Sequence, residues 1–423
     1  MQQMPGKLSS RHFKRMRLLI FFILSLSYMY APFSRMAPGI MGPELMQSFA
    51  LDSVQFGLLG LCFMWPYAIG QIPAGLFIDS YGSSKALVVM LLLTAGGNFL
   101  FGAAQNFFVL SISRIIIGLS VAGYFLVGTK IISAWYEKDE FTKIYGLFMG
   151  LGALGGVIST MPLQIMMEIF GWRNAMLVLG CFSLCLAVLV FLKVSDRPQH
   201  YKAVEQTIVP KVPALSISQQ LGEVIKIPLI FNCAFICLSI SSSGHSLQSL
   251  WNGVYLADVY NYGQGTIGAI LLCAAIGLVV GGTSTGFFMK YCAKLKIITI
   301  GEGIFLLTWL YMVKSAACLS TAELMVINFI FGFMQMLVIT TCYTFVKEIA
   351  PGNLLATSMG LVNTFIWVLG VGCCQQIWGV IIAFVSDGIK PYGAEAFAAA
   401  MWFQFCVLVF GFANACYVYK KAS

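Results

Sequence analysis

The chain has 423 residues, of which 59% are apolar and only 10% charged. A soluble domain carries about a quarter charged residues, so the composition excludes a mainly water-soluble protein and leaves too little polar chain for a catalytic head. The formal charge of +9 is spread by position along the chain, which fits a membrane-topology signal and excludes a nucleic-acid surface.

A spanning helix needs about 20 mostly apolar residues. Twelve such runs are predicted, at 18–42, 55–78, 86–104, 107–134, 144–169, 174–194, 228–256, 264–289, 297–317, 322–346, 356–385 and 396–418. Lys7, Arg11, Lys14, Arg15 and Arg17 precede the first run without one acid. That start resembles a signal peptide, but eleven further runs follow, so the first is expected to be retained as a helix. It holds Arg35 and is expected to end near Pro38 and Pro43. The second contains Trp65-Pro66-Tyr67 and Gly70-Gln71, with a kink expected at the proline.

A short polar turn, Gly75-Leu76-Phe77-Ile78-Asp79-Ser80-Tyr81-Gly82-Ser83-Ser84-Lys85, separates the second and third runs. It is too short for a domain linker and reads as a tight hairpin between membrane helices. Gly286-Phe287-Phe288-Met289-Lys290-Tyr291-Cys292-Ala293-Lys294-Leu295-Lys296 echoes it at an offset of 211, Gly75 falling on Gly286 and Lys85 on Lys296. Phe56-Gly57 and Ile267-Gly268 repeat at the same offset, and Met149-Gly150 and Met359-Gly360 at 210. The chain therefore reads as a duplication: residues 1–194 and 228–423 form two six-helix bundles, joined by a polar linker at 195–227.

The hairpin resembles the signature loop of the major facilitator superfamily of secondary transporters. Gly75, Asp79, Gly82 and Lys85 match the pattern; Ser80 and Ser84 stand where that family usually has basic residues. The resemblance implies twelve helices in two pseudo-symmetric halves, with a substrate site between them lined by the first, fourth, seventh and tenth helices. It also implies a gating role for Asp79, Gly82 and Lys85, clamping one half against the other, with the two serines weakening the clamp. Phe33-Ser34-Arg35-Met36-Ala37-Pro38 and Leu250-Trp251-Asn252-Gly253-Val254-Tyr255-Leu256 are similar to a bacterial branch that includes phagosomal nutrient transporters.

Basic residues gather in alternate loops: at the start, in the central linker, in the echo hairpin and at Lys420-Lys421. By the positive-inside rule, both termini are expected in the cytoplasm of a cell with the chain in its inner membrane.

Ionisable groups inside spans are costly and ask for a reason. Arg35 lies about 25 Å along the first helix; Arg114 sits in the fourth, in Arg114-Ile-Ile-Ile-Gly118, and His245 just past the middle of the seventh. All three are expected at similar depth. Two guanidinium groups and an imidazole suit a carboxylate or phosphate, because arginine presents a planar fork of donors. A second reading has Arg35 and Arg114 tying helices together. Tyr28, Tyr30, Tyr67, Gln71, Gln248, Trp251, Asn252, Gln335, Asn363 and Trp367 supply further candidate lining. His245 and Glu302, in the ninth span, are the candidates for proton coupling; His245 reads equally as a packing histidine, and Glu302 reads first as a structural contact.

Thirteen cysteines fall almost wholly within spans and make no Cys-x-x-Cys pair. No metal site and no cofactor are expected, and no Gly-x-x-x-x-Gly-Lys-(Ser/Thr) loop points to ATP. The expectation is a monomeric secondary transporter and not an enzyme, moving a small carboxylate-bearing solute such as an amino acid or organic anion. Its other partners are the lipid bilayer and, if coupled, protons. Nucleoside or siderophore import, or drug efflux, are the alternatives, and Arg35 argues against efflux.

Overall fold

The computed structural model describes residues 10–197, 222–351 and 354–422. Most of the expected linker, 195–227, lies outside them. Every regular element among the described residues is helical. Inside a bilayer an uncharged apolar run must satisfy its own backbone, and a helix does so within one segment.

Eleven helices are long and apolar enough to cross a membrane, and Lys143–Ile158 is a shorter apolar one. Two irregularities turn these into twelve spans. Lys138–Ile158 is followed at Met161 by a helix that continues the fifth span, and Met161–Lys193 joins two helices across Gly171, where φ is +76°. The sixth span begins there. The remaining spans are Ser10–Ser48, Ser53–Tyr81, Ser83–Ala103, Phe107–Trp135, Leu229–Tyr260, Gln264–Tyr291, Lys294–Lys314, Thr321–Ile349, Thr357–Val385 and Ala394–Lys421.

The first helix runs on past Pro38 and Pro43 to Ser48, where the sequence suggested an end. Each proline lacks the N–H that the carbonyl four residues back would accept, so Ser34 and Gly39 each present a freed oxygen. Arg114 donates to the first, and Gly253 packs against the second, as described below.

Helix ends are fixed by local and remote caps. Asp52 accepts from Gln55 N at 2.7 Å while Gln55 Oε1 accepts from Asp52 N at 3.1 Å, starting the second span. Ser320 and Glu323 repeat that device at the tenth. The third span is capped from a distance: the Asp196 carboxylate accepts from Ser83 N at 3.0 Å and Ser84 N at 2.6 Å. Gly82 turns the chain there with φ +90°, and a Cβ on it would fall 2.6 Å from Asp196 Oδ2.

The two halves repeat one packing scheme: second on fourth span and eighth on tenth, third on sixth and ninth on twelfth, first on fifth and seventh on eleventh. The eighth and tenth approach backbone to backbone. A Cβ on Gly277 or Gly332 would lie 2.3 or 2.1 Å from the carbonyl oxygens of Phe329 and Ala274. Without bulk at these positions the helices gain dispersion contact that lipid cannot match.

The halves meet toward the end of the bundle that carries the short loops at 49–53 and 386–393, here the loop end. The first span packs on residues 247–260, the second on the eleventh span and the fifth on the eighth. Ser53 Oγ donates to Gly379 O at 2.8 Å, Lys390 Nζ donates to Leu51 O, and Trp65 Nε1 donates to Val368 O at 3.2 Å. A Cβ on Gly253 would fall 2.0 Å from Gly39 O, one of the carbonyls freed by proline. At the opposite end, which carries the described termini, the ion pairs lie within halves: Asp79–Lys130 and Lys294–Glu348, each at 2.6 Å, and Arg17–Glu140.

Candidate solute site between the halves

Two short π-helical segments interrupt the spans where the halves face each other, Leu247–Trp251 in the seventh and Phe365–Gly372 in the eleventh. Such wide turns re-aim the side chains around them and recur at functional sites. His245 lies just before the first segment, and Trp367 lies within the second.

Trp367 is the centre of the site. Its Nε1 donates to Asn363 Oδ1 at 2.8 Å, and Tyr343 OH donates to the same oxygen at 3.2 Å. Asn363 Nδ2 in turn donates across the halves to Gln71 Oε1 at 2.9 Å. The amide thus holds the indole in one plane. Arg35 Cζ lies 4.3 Å from the indole centroid and 5.7 Å from that of Tyr67, whose ring meets the indole edge-on. The His245 ring is 5.2 Å from the same indole.

Arg35 is half-buried and its Nε has no partner. Among the described residues no acid pairs with it. A cation–π contact stabilises a guanidinium by about 0.5–2 kcal/mol but leaves the in-plane N–H groups of its edge unclaimed. A carboxylate or a phosphate can fit that edge.

Of the residues that the sequence singled out, the structure brings Arg35, Tyr67, Gln71, His245, Asn363 and Trp367 together. Arg114 is set apart. It is 3% exposed, its Nη1 donates to Ser34 O at 2.9 Å, and its Cζ lies 4.3 Å from the Phe63 centroid. Ser34 O is the carbonyl that Pro38 leaves without a donor, so Arg114 repairs the first helix.

The other candidates serve contacts between helices. Trp251 is fully buried, donates to Gln375 O at 3.0 Å and meets Phe56 edge-on at 5.2 Å. Asn252 Nδ2 donates to Asn328 Oδ1 at 2.8 Å. Gln248 is buried at the contact of the seventh span with Gly39, and Gln335 against Gly244; the side-chain amides of both are without partners. Glu302 is fully buried between the seventh, ninth and twelfth spans. Its Oε1 accepts from Ser239 Oγ at 3.0 Å, while Oε2 has no partner. Gly82 shapes the hairpin turn, exposed Lys85 follows it, and Asp79 pairs with Lys130 of its own half.

Sequence reading passed over Tyr343, Phe63 and Asp196. Tyr343 carried the same signal as Tyr67, a phenol within an apolar span, and its span is one of the cavity set that the resemblance implies. Asp196 carried none, because its role depends on a helix start 113 residues away. Among the described residues no three His, Cys, Asp or Glu side chains converge as metal ligands.

The profile of the Major Facilitator Superfamily matches residues 8–372. The chain belongs to that superfamily. Eleven of its helices are long and apolar enough to cross a membrane, as a multi-pass protein of that superfamily requires. It is 27% identical over 201 residues to a probable sulfoacetate transporter of Cupriavidus necator, spanning 48% of this chain and 45% of that protein. It is 23% identical to a probable L-galactonate transporter of Escherichia coli, over 88% of this chain and 82% of that one. A hexuronate transporter of Bacillus subtilis is 24% identical over 71% of each. The match to the sulfoacetate relative thus spans about half its length. Among solved structures, a bacterial homolog of the human lysosomal transporter Spinster, inward-facing and unoccupied, aligns with a TM-score of 0.75 at 16% identity, over 97% of this chain and 98% of that one. The nucleoside transporter NupG, as a point mutant, aligns with a TM-score of 0.78 at 10% identity, over 95% and 99%. At these identities the superfamily fold is what they share.

Proposed function

We propose that this superfamily member moves a small, polar, carboxylate-bearing solute across the inner membrane by alternating access, as a monomer. The carrying observation is Arg35: a guanidinium between the halves, laid on Trp367, with no acid among the described residues paired with it. Gln71, Asn363, Tyr343 and Tyr67 supply neutral donors and acceptors beside it for the solute's remaining polar groups. The relatives named for sulfoacetate, L-galactonate and hexuronate all carry acids, which supports the same class. With the termini in the cytoplasm, the contacts at the loop end describe a carrier closed to the outside.

The decisive experiment is solute counterflow in proteoliposomes with galactonate and a hexuronate, comparing wild type, Arg35→Lys and Arg35→Ala. Removing a charge-assisted hydrogen-bond donor costs about 1.5–3 kcal/mol, so Arg35→Ala is expected to weaken binding by roughly tenfold to 150-fold. Arg35→Lys keeps the charge but not the fork and falls between. Unchanged affinity in a folded Arg35→Ala protein would remove the anion site. Proton coupling has one candidate in the cluster, His245. A His245→Gln protein whose flux still follows the pH gradient would exclude it.

A further inference from the structure

We infer that the site takes solutes with one anionic group and discriminates against those with two; the inference rests on Arg35 as the anion site and narrows it. The count of fixed cations facing the space between the halves carries it. Arg35 is the first. Arg114, the other arginine deep in the membrane, is held elsewhere through one end of its guanidinium, its Nε being without a partner. Its Nη1 fills the bond that Pro38 takes from Ser34 O, its guanidinium lies on Phe63, and it is 3% exposed. Phe63 stacks on Tyr67 with ring centroids 6.0 Å apart and planes 5° from parallel. Tyr67 is the ring that Arg35 approaches, so two stacked aromatic rings link the two arginines.

Turning Arg114 toward the solute would strip a carbonyl inside the first helix of its only donor, a cost of about the size of a lost buried hydrogen bond. The other cations of the facing spans sit at span ends. Lys130 is on Asp79, and Arg173 lies on Trp172 and donates to Gly102 O at 3.2 Å. A first carboxylate on Arg35 therefore meets a cation, while a second would leave water for neutral amides and phenols. A desolvated ion without a counter-charge is disfavoured strongly. Hydroxyl groups at the same distance from the carboxylate meet Gln71, Asn363 and Tyr343, which can donate and accept.

The test uses matched acids that differ only by exchange of a terminal hydroxymethyl group for a second carboxylate: galactonate against galactarate, and gluconate against glucarate. Binding is measured by calorimetry on the full-length protein at pH 8, where an imidazole with an ordinary pKa of about 6.5 is neutral. The monoacid of at least one pair is expected to bind at least tenfold more tightly than its diacid. In Arg114→Gln the ratio stays within about twofold of wild type, whatever the loss of stability. Equal or tighter binding of the diacid overturns the inference while leaving the anion site intact, provided Arg35→Ala weakens both by about tenfold or more. A ratio that rises in Arg114→Gln because diacid binding alone collapses also overturns it, since Arg114 would then be the second cation. If no acid binds, and Arg35→Ala matches wild type, the anion site itself is wrong and the inference goes with it.

Discussion

At the loop end the two halves touch through backbone, indole and glycine; at the end carrying the termini, the ion pairs tie each half to itself. Gly253 lies against the Gly39 carbonyl, Ser53 bonds Gly379 O, and Trp251 fills the space between the second, seventh, eleventh and twelfth spans. Asp79, by contrast, reaches Lys130, Lys294 reaches Glu348, and the side chains of Asp79 and Glu348 are more than half exposed. The difference teaches where the energy of this state resides. Buried, shape-matched contact is costly to break, whereas exposed ion pairs in high dielectric contribute about 0–1 kcal/mol each. A carrier that alternates must replace the first kind of contact with an equivalent elsewhere, and can trade the second kind freely.

The comparison can be broken most forcefully at Trp251. Trp251→Ala removes a fully buried indole and is expected to cost about 3–5 kcal/mol, read as a large fall in melting temperature. Trp309→Ala, equally buried but with its ring contacts confined to the last six spans, serves as the control. Only Trp251→Ala should also admit membrane-impermeant thiol reagents to a cysteine placed at Ser53. Equal labelling in both proteins would mean that Trp251 does not seal the loop end.

Gly253→Val comes next. Its Cβ would lie 2.0 Å from Gly39 O, and overpacking of this kind costs about 1–3 kcal/mol. The halves are expected to be held apart at the loop end, with transport near background and the Ser53 position labelled. Wild-type transport would show that this contact is not used in the cycle. Ser53→Ala deletes one hydrogen bond, worth about 0.5–1.5 kcal/mol, and should lower the melting temperature modestly with transport retained. Asp79→Asn, at the other end, is expected to change stability by less than about 1 kcal/mol, and less still in high salt. A loss as large as that of Ser53→Ala would reverse the contrast between the ends.

Much of the fold was legible because its rule is local. Twelve apolar runs, a hairpin echoed 211 residues on and an alternation of basic loops each follow from what one segment can do in a bilayer. The twelfth span is also an instructive difficulty: by helix length alone eleven are counted, because the fifth is broken and Gly171 fuses its end to the sixth. Within the candidate site, Arg35 and His245 were legible as ionisable groups in apolar runs. Their meeting on Trp367 was not, and neither was the separation of Arg114, since depth along a helix says nothing of the direction a side chain faces.

The amino-acid sequence by itself determined that this chain lives in a membrane, that it is doubled, and which charges lie at depth, because hydropathy and repeat are properties of segments. Tertiary structure alone decided which of those charges remain available. Pro38 leaves Ser34 O without a donor, Arg114 happens to be the neighbour that supplies one, and Arg35 is left on an indole held by Asn363. The physical reason is that a hydrogen bond between helices depends on how two spans are rotated about their axes, and only packing sets that rotation.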